Sequence, residues 1–207
     1  MTVKLKETAI CLDYSFFAVV SLMLVFCKRE IVLICLLSSA FHEMGHLFLM
    51  WLFKEKVLRV VFGAFGIRIE KASFSSLSYK KEAAVALGGV AADFILAAFF
   101  LFAFKISGSL LALSGAFVNV FIALLNLIPV GMLDSGNFLR YILLERFDEE
   151  KATLISEKIS DVFVVLFVVG CAVYTAFFGV NISLVALSSY LIILNLKPGR
   201  KWFHGKP

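Results

Sequence analysis

Charge is scarce in this chain. Only 17% of its 207 residues are Asp, Glu, Lys or Arg, against 61% hydrophobic. A soluble domain of this length needs far more polar residues to cover its surface, which excludes a water-exposed globule. Paired cysteines are lacking too: Cys11, Cys27, Cys35 and Cys171 stand singly in or beside apolar runs. With no CxxC or related spacing they offer no thiolate metal site, and they read as small apolar residues. Histidine is rarer still, with three in the chain, two of them four positions apart. No repeat or low-complexity tract breaks the pattern. Lys4 and Lys6 precede an apolar run, as in a signal peptide. No small-residue cleavage site leading into a polar region follows, so the first segment is read as uncleaved.

What is present is a series of long apolar blocks, the pattern of a bilayer-spanning chain. Six can be delimited: 14–27, 31–53, 83–104, 108–130, 161–178 and 180–196. The second to fourth meet the requirement of about 20 residues. The first is short unless it begins near Thr8, and the last two are separated only around Gly179 and Asn181. Charge decides the count. With six crossings, one side holds the N-terminus, residues 54–82, residues 131–160 and the C-terminus, which carry 2, 7, 4 and 4 basic residues, 17 of the 20. Lys28, Arg29 and Lys105 fall on the other side. That bias predicts both termini in the cytosol. It also explains the net charge of +5 without invoking nucleic acid.

Residues 54–82 are too polar to span. Within them, 57–70 reads as β, rich in β-branched residues, with Gly63 and Gly66 placed to make a hairpin. A membrane-surface loop is the competing reading. Residues 72–82 read as a serine-rich connection. The expected fold is an all-α integral membrane protein, a six-transmembrane-helix bundle with a small cytosolic-side β-hairpin between helices 2 and 3. It forms a single domain over 1–207, with a catalytic core at about 31–146 and flanking helices at about 8–27 and 161–196.

The sharpest local signal is Phe41-His-Glu-Met-Gly-His46, an HExxH inside the second block. On a helix, positions i and i+4 share one face, so His42 and His46 can bind one zinc ion. Glu43, next along the turn, can serve as general base toward the attacking water. The bland alternative is a set of polar residues packed between helices. Three ionisable groups within five residues of a membrane segment argue strongly against it.

A catalytic zinc takes three protein ligands. His204 lies in a basic tail beyond the last block and is a poor third. Asp134 is better, since it follows the fourth block in Asn126-Leu-Ile-Pro-Val-Gly-Met-Leu-Asp134. Taken alone, Asp134 also reads as an N-cap for a helix over 135–146. Alternation of the crossings puts His42, His46 and Asp134 at similar depth, near the cytosolic face.

Together these motifs resemble the site-2 protease family of intramembrane metalloproteases. His42, Glu43 and His46 match the family's HExxH. Asn126, Pro129, Leu133 and Asp134 match its NxxPxxxLDG-type signature, with Ser135 in place of the usual Gly and Gly136 after it. Gly88-Gly-Val-Ala-Ala-Asp93 lies where the family often has AGPxxN, with Val90 and Asp93 replacing Pro and Asn. The resemblance implies Zn2+ as cofactor, His42, His46 and Asp134 as its ligands, Glu43 as catalytic base and Asn126 as a substrate-binding residue. It implies transmembrane proteins or peptides as substrates, cut within or next to the lipid bilayer. The lack of targeting signals and the compact form lead to the expectation of a prokaryotic plasma membrane. It also places a strand edge beside the site, able to hold an unwound substrate by β-augmentation. The chain reads as a minimal member without PDZ or CBS domains.

Two other readings share these residues. One is a catalytically silent homologue that binds a membrane-protein partner, against which the intact HExxH and aspartate argue. The other is a metal transporter. That needs a polar path across several helices, and Asp93, Asn119 and Asn181 do not make one.

Overall fold

A computed structural model describes residues 2–5, 8–63, 66–71, 77–131 and 133–196. His204, the basic tail and residues 72–76 of the serine-rich connection lie outside the described residues. The chain divides into two compact units, Met1–Leu125 and Asn126–Pro207.

The first unit opens with strands β1 (Thr2–Leu5) and β2 (Thr8–Leu12), then helices α1 (Tyr14–Phe26) and α2 (Arg29–Leu52). Strands β3 (Val57–Gly63) and β4 (Gly66–Lys71) follow, then α3 (Tyr79–Ser107) and α4 (Leu110–Asn126), whose last residue opens the second unit. The expected hairpin is present: β3 and β4 pair antiparallel, closing at Gly63 and Gly66. It belongs to a larger sheet than expected. Four strands run in the order β1-β2-β3-β4, with β2 parallel to β3 across a crossover made by α1 and α2. Helix 1 therefore begins at Tyr14 and not near Thr8. Ala9-Ile-Cys-Leu12 pairs with Arg59–Phe62, and the Asp13 amide extends this pairing by donating to the Phe62 carbonyl at 2.9 Å. Val60 and Val61 of the inner strand β3 are buried, and Phe16 of α1 meets Phe62 edge-on at 5.7 Å.

Helices α2 and α3 pack through glycine. A Cβ on Gly45 would lie 2.2 Å from the Gly88 carbonyl oxygen, and one on Gly88 would lie 2.7 Å from that of Gly45. Backbones this close require residues without side chains, the usual device of helix packing in membranes. Asn119 of α4, fully buried, donates to Ser38 Oγ of α2 at 2.9 Å and to the Gly115 carbonyl of its own helix at 2.8 Å. One polar bond thus ties α4 to α2.

The second unit holds α5 (Asp134–Leu144), α6 (Glu149–Phe178) and α7 (Ile182–Leu196). Val130, Leu133, Val164, Leu191 and Leu194 form its core. The last two apolar blocks are separate helices, as the sequence suggests. The turn between them follows Gly179, whose φ of +89° suits glycine. Asn181 Oδ1 then caps α7, accepting from Ser183 and Leu184 N–H at 3.0 and 3.3 Å.

The protein is an integral membrane protein. Helices α2, α3 and α6, with 24, 29 and 30 residues, are long and apolar enough to cross a bilayer. At 1.5 Å per residue they reach about 36–45 Å, against a hydrocarbon core of about 30 Å. The shorter apolar helices α1, α4 and α7 have 13, 17 and 15 residues and reach about 20–25 Å. Helix α1 has no buried residue, and apolar side chains such as Phe26 and Phe177 are each 79% exposed. Surface of this kind is stable against lipid and not against water.

Candidate metal centre

The HExxH lies on α2, where every fourth residue from Ser38 turns inward: Ser38, His42, His46 and Met50 are all buried. Glu43 is partly buried one position beyond His42. Helix α3 runs antiparallel against this stripe and meets it with its own four-residue repeat of Val85, Gly89 and Asp93. His46 Nδ1 stands 2.8 Å from the Val85 carbonyl oxygen, and His42 Nδ1 stands 2.7 Å from Asp93 Oδ2.

These partners fix the tautomers. A carbonyl can only accept, so His46 carries its proton on Nδ1. The Asp93 carboxylate likewise accepts from His42 Nδ1. In neutral rings so anchored both Nε2 atoms present lone pairs, and they face each other at 3.3 Å. Two nitrogens bound at 2.0–2.1 Å to a tetrahedral ion stand about 3.3–3.4 Å apart, so the observed spacing fits zinc. Gly89 keeps the place open. A Cβ there would come within 2.5 Å of His46 Nε2 and 2.6 Å of His42 Nε2.

Asp134 and Asn126 lie in the second unit. Asn126 ends α4 and is partly buried. Asp134 is the first residue of α5, also partly buried. The N-cap is Leu133, with no side-chain capping bond, so Asp134 is not the capping residue. Its carboxylate suits the first turn, where the helix dipole favours negative charge.

The approach to Asp134 is firmly held. Val130 is 0% exposed and Leu133 is buried. Gly131 N–H donates to Ser160 Oγ of α6 at 3.2 Å, and Ser160 donates to Asn195 Oδ1 of α7 at 2.7 Å. A Cβ on Gly136 would lie 2.2 Å from the Val130 carbonyl oxygen. Glycine is thus needed at 136, where the chain folds back over the first turn of α5, while Ser135 is accommodated and buried.

Three supports escaped the sequence reading: the Val85 carbonyl, Gly89 and the bond from His42 to Asp93. An acid and paired glycines inside an apolar block were the available signal. Their roles depend on the register of α2 against α3, which periodicity alone does not give. Asn119 clamps α4 to α2, and Asn181 caps α7.

Fold and motif together define a class: a membrane-embedded helical protein whose HExxH helix presents two oriented imidazoles. Among solved structures, the fold is similar to that of the site-2 protease from Methanocaldococcus jannaschii. The TM-score is 0.65 over 94% of this chain and 93% of that one, at 18% identity. No family model and no curated protein sequence matches the chain. The chain has the site-2 protease fold.

Proposed function

We propose that this protein is an intramembrane zinc metalloprotease that hydrolyses peptide bonds in or near transmembrane segments of its substrates. The observation that carries the reading is the pair of Nε2 lone pairs 3.3 Å apart, each imidazole anchored through Nδ1. His42 and His46 are assigned as two zinc ligands and Asp134 as the third. Two imidazoles and a carboxylate form a donor set found in catalytic zinc sites.

Zinc, when bound, acidifies the attacking water and polarises the scissile carbonyl. Glu43 takes the proton from that water and delivers it to the leaving amine. The Asn126 amide, at the end of α4, donates to the substrate backbone near the scissile bond. A helical substrate hides its amides in hydrogen bonds to the fourth residue back, so it must be extended before hydrolysis. Strand β4 is an edge of the four-stranded sheet, and its outer side is where an extended substrate would add. In this reading all six apolar helices cross the membrane of a prokaryotic cell. Both termini and the sheet face the cytosol, which supplies water to the metal.

The test is to purify the wild type and Glu43→Gln in detergent, then measure bound zinc and cleavage of membrane-spanning peptides. One zinc per chain in both, with cleavage by the wild type and a loss of about 100-fold or more in the variant, is the expected result. Zinc-loaded wild type that cuts none of a broad panel would favour the silent homologue. Absence of zinc after reconstitution would refute the metalloprotease reading.

A further inference from the structure

The two imidazoles are not anchored alike. His46 is held by a backbone carbonyl, which costs the fold nothing extra. His42 is held by Asp93, a carboxylate with 0% exposure in the middle of a membrane-spanning helix. An ionisable group in that position is expensive, and orienting one ring does not require it. A neutral acceptor would hold the same proton, as Val85 does for His46. The carboxylate must therefore supply what a neutral acceptor lacks, which is negative charge and greater electron donation through the ring.

We infer, resting on the metalloprotease reading, that Asp93 is a positioning residue for the metal centre. It accepts the Nδ1 proton of His42, fixes the ring with Nε2 toward the metal, and makes that nitrogen a stronger donor. The carboxylate also places negative charge behind the ring that would hold a divalent ion, as outer carboxylates do when paired with metal-ligating histidines.

The inference is tested by zinc affinity. Wild type, Asp93→Asn and Asp93→Ala are compared in detergent by competition with a chromophoric chelator, alongside thermal unfolding of the metal-free proteins. Asparagine keeps the shape and an acceptor but removes the charge; alanine removes both. Zinc binding about 10-fold weaker in the asparagine variant and about 100-fold weaker in the alanine variant is the expected series. The metal-free asparagine variant should unfold at or above the wild-type temperature, because a buried carboxylate has been removed. Cobalt-loaded Asp93→Asn should also show displaced visible bands, reporting a changed donor at His42. Wild-type zinc affinity in both variants would overturn the inference and leave the metalloprotease reading standing. A wild type that binds no zinc would refute that reading and this inference with it.

Discussion

Gly89→Ala puts the metal-centre geometry to its most direct test, because one added methyl group is aimed at both donor atoms. The new Cβ would lie 2.5 Å from His46 Nε2, 2.5 Å from His42 Cε1 and 2.6 Å from His42 Nε2. Ordinary carbon contacts begin near 3.5 Å, so about 1 Å of displacement is needed. The rings cannot simply swing away, since each is tied by its Nδ1 to α3 at 2.7–2.8 Å. Metal–ligand distances tolerate about 0.2 Å, so the shift is several times what a zinc site accepts. Loss of outer-shell support alone costs 10- to 100-fold in affinity. Displacing the donors themselves should cost at least 100-fold, or about 2.7 kcal/mol. The assay is chelator competition in detergent, with Gly115→Ala as control. That substitution also crowds a helix contact, meeting the Phe100 ring at 2.7–2.9 Å, but touches neither histidine. The control should lower the unfolding temperature and keep zinc affinity. Wild-type zinc binding by Gly89→Ala would refute the claim that this glycine holds the metal's place.

Two further outcomes follow from the backbone. Gly136→Ala should destabilise the protein by about 1–3 kcal/mol, read as a fall in unfolding temperature, because its Cβ meets the Val130 carbonyl at 2.2 Å and backbone cannot rotate away as a side chain can. Lys54→Gly should raise stability by about 0.5–1 kcal/mol in the same assay, since Lys54 sits at φ +60° just after α2, a conformation that costs a side-chain-bearing residue about 1 kcal/mol.

The parts of this structure legible in the sequence are those set by local rules. Block length and hydropathy gave the helices, and the break at Gly179 and Asn181 was visible because a positive-φ residue and a capping residue are local signals. Gly63 and Gly66 announced the β3–β4 hairpin for the same reason. The parts that stayed hidden depend on partners far along the chain. Strand β2 pairs with β3 at a separation of 50 residues (Ala9 with Arg59), so Thr8–Leu12 reads locally as the start of an apolar helix. The apolar character is a local property, and the pairing is not. At the site, His42, Glu43 and His46 are spaced by helix geometry alone, and one line of sequence suffices to find them. Asp93 is 51 positions from the histidine it holds.

Asp93 is a fully buried acid in the middle of an apolar helix, 2.7 Å from His42 Nδ1. The repeat of Val85, Gly89 and Asp93 on α3 matches the four-residue spacing of His42 and His46 on α2, so each imidazole has its own anchor and the space between belongs to glycine. Gly45 and Gly88 set how closely the two helices approach, and that approach determines whether a 2.7 Å bond to a carboxylate is within reach. A longer side chain at either glycine would move the anchors away from the rings while leaving the HExxH intact in sequence. The motif names the donors, but small residues on both helices hold the two imidazoles at a spacing that fits a metal ion.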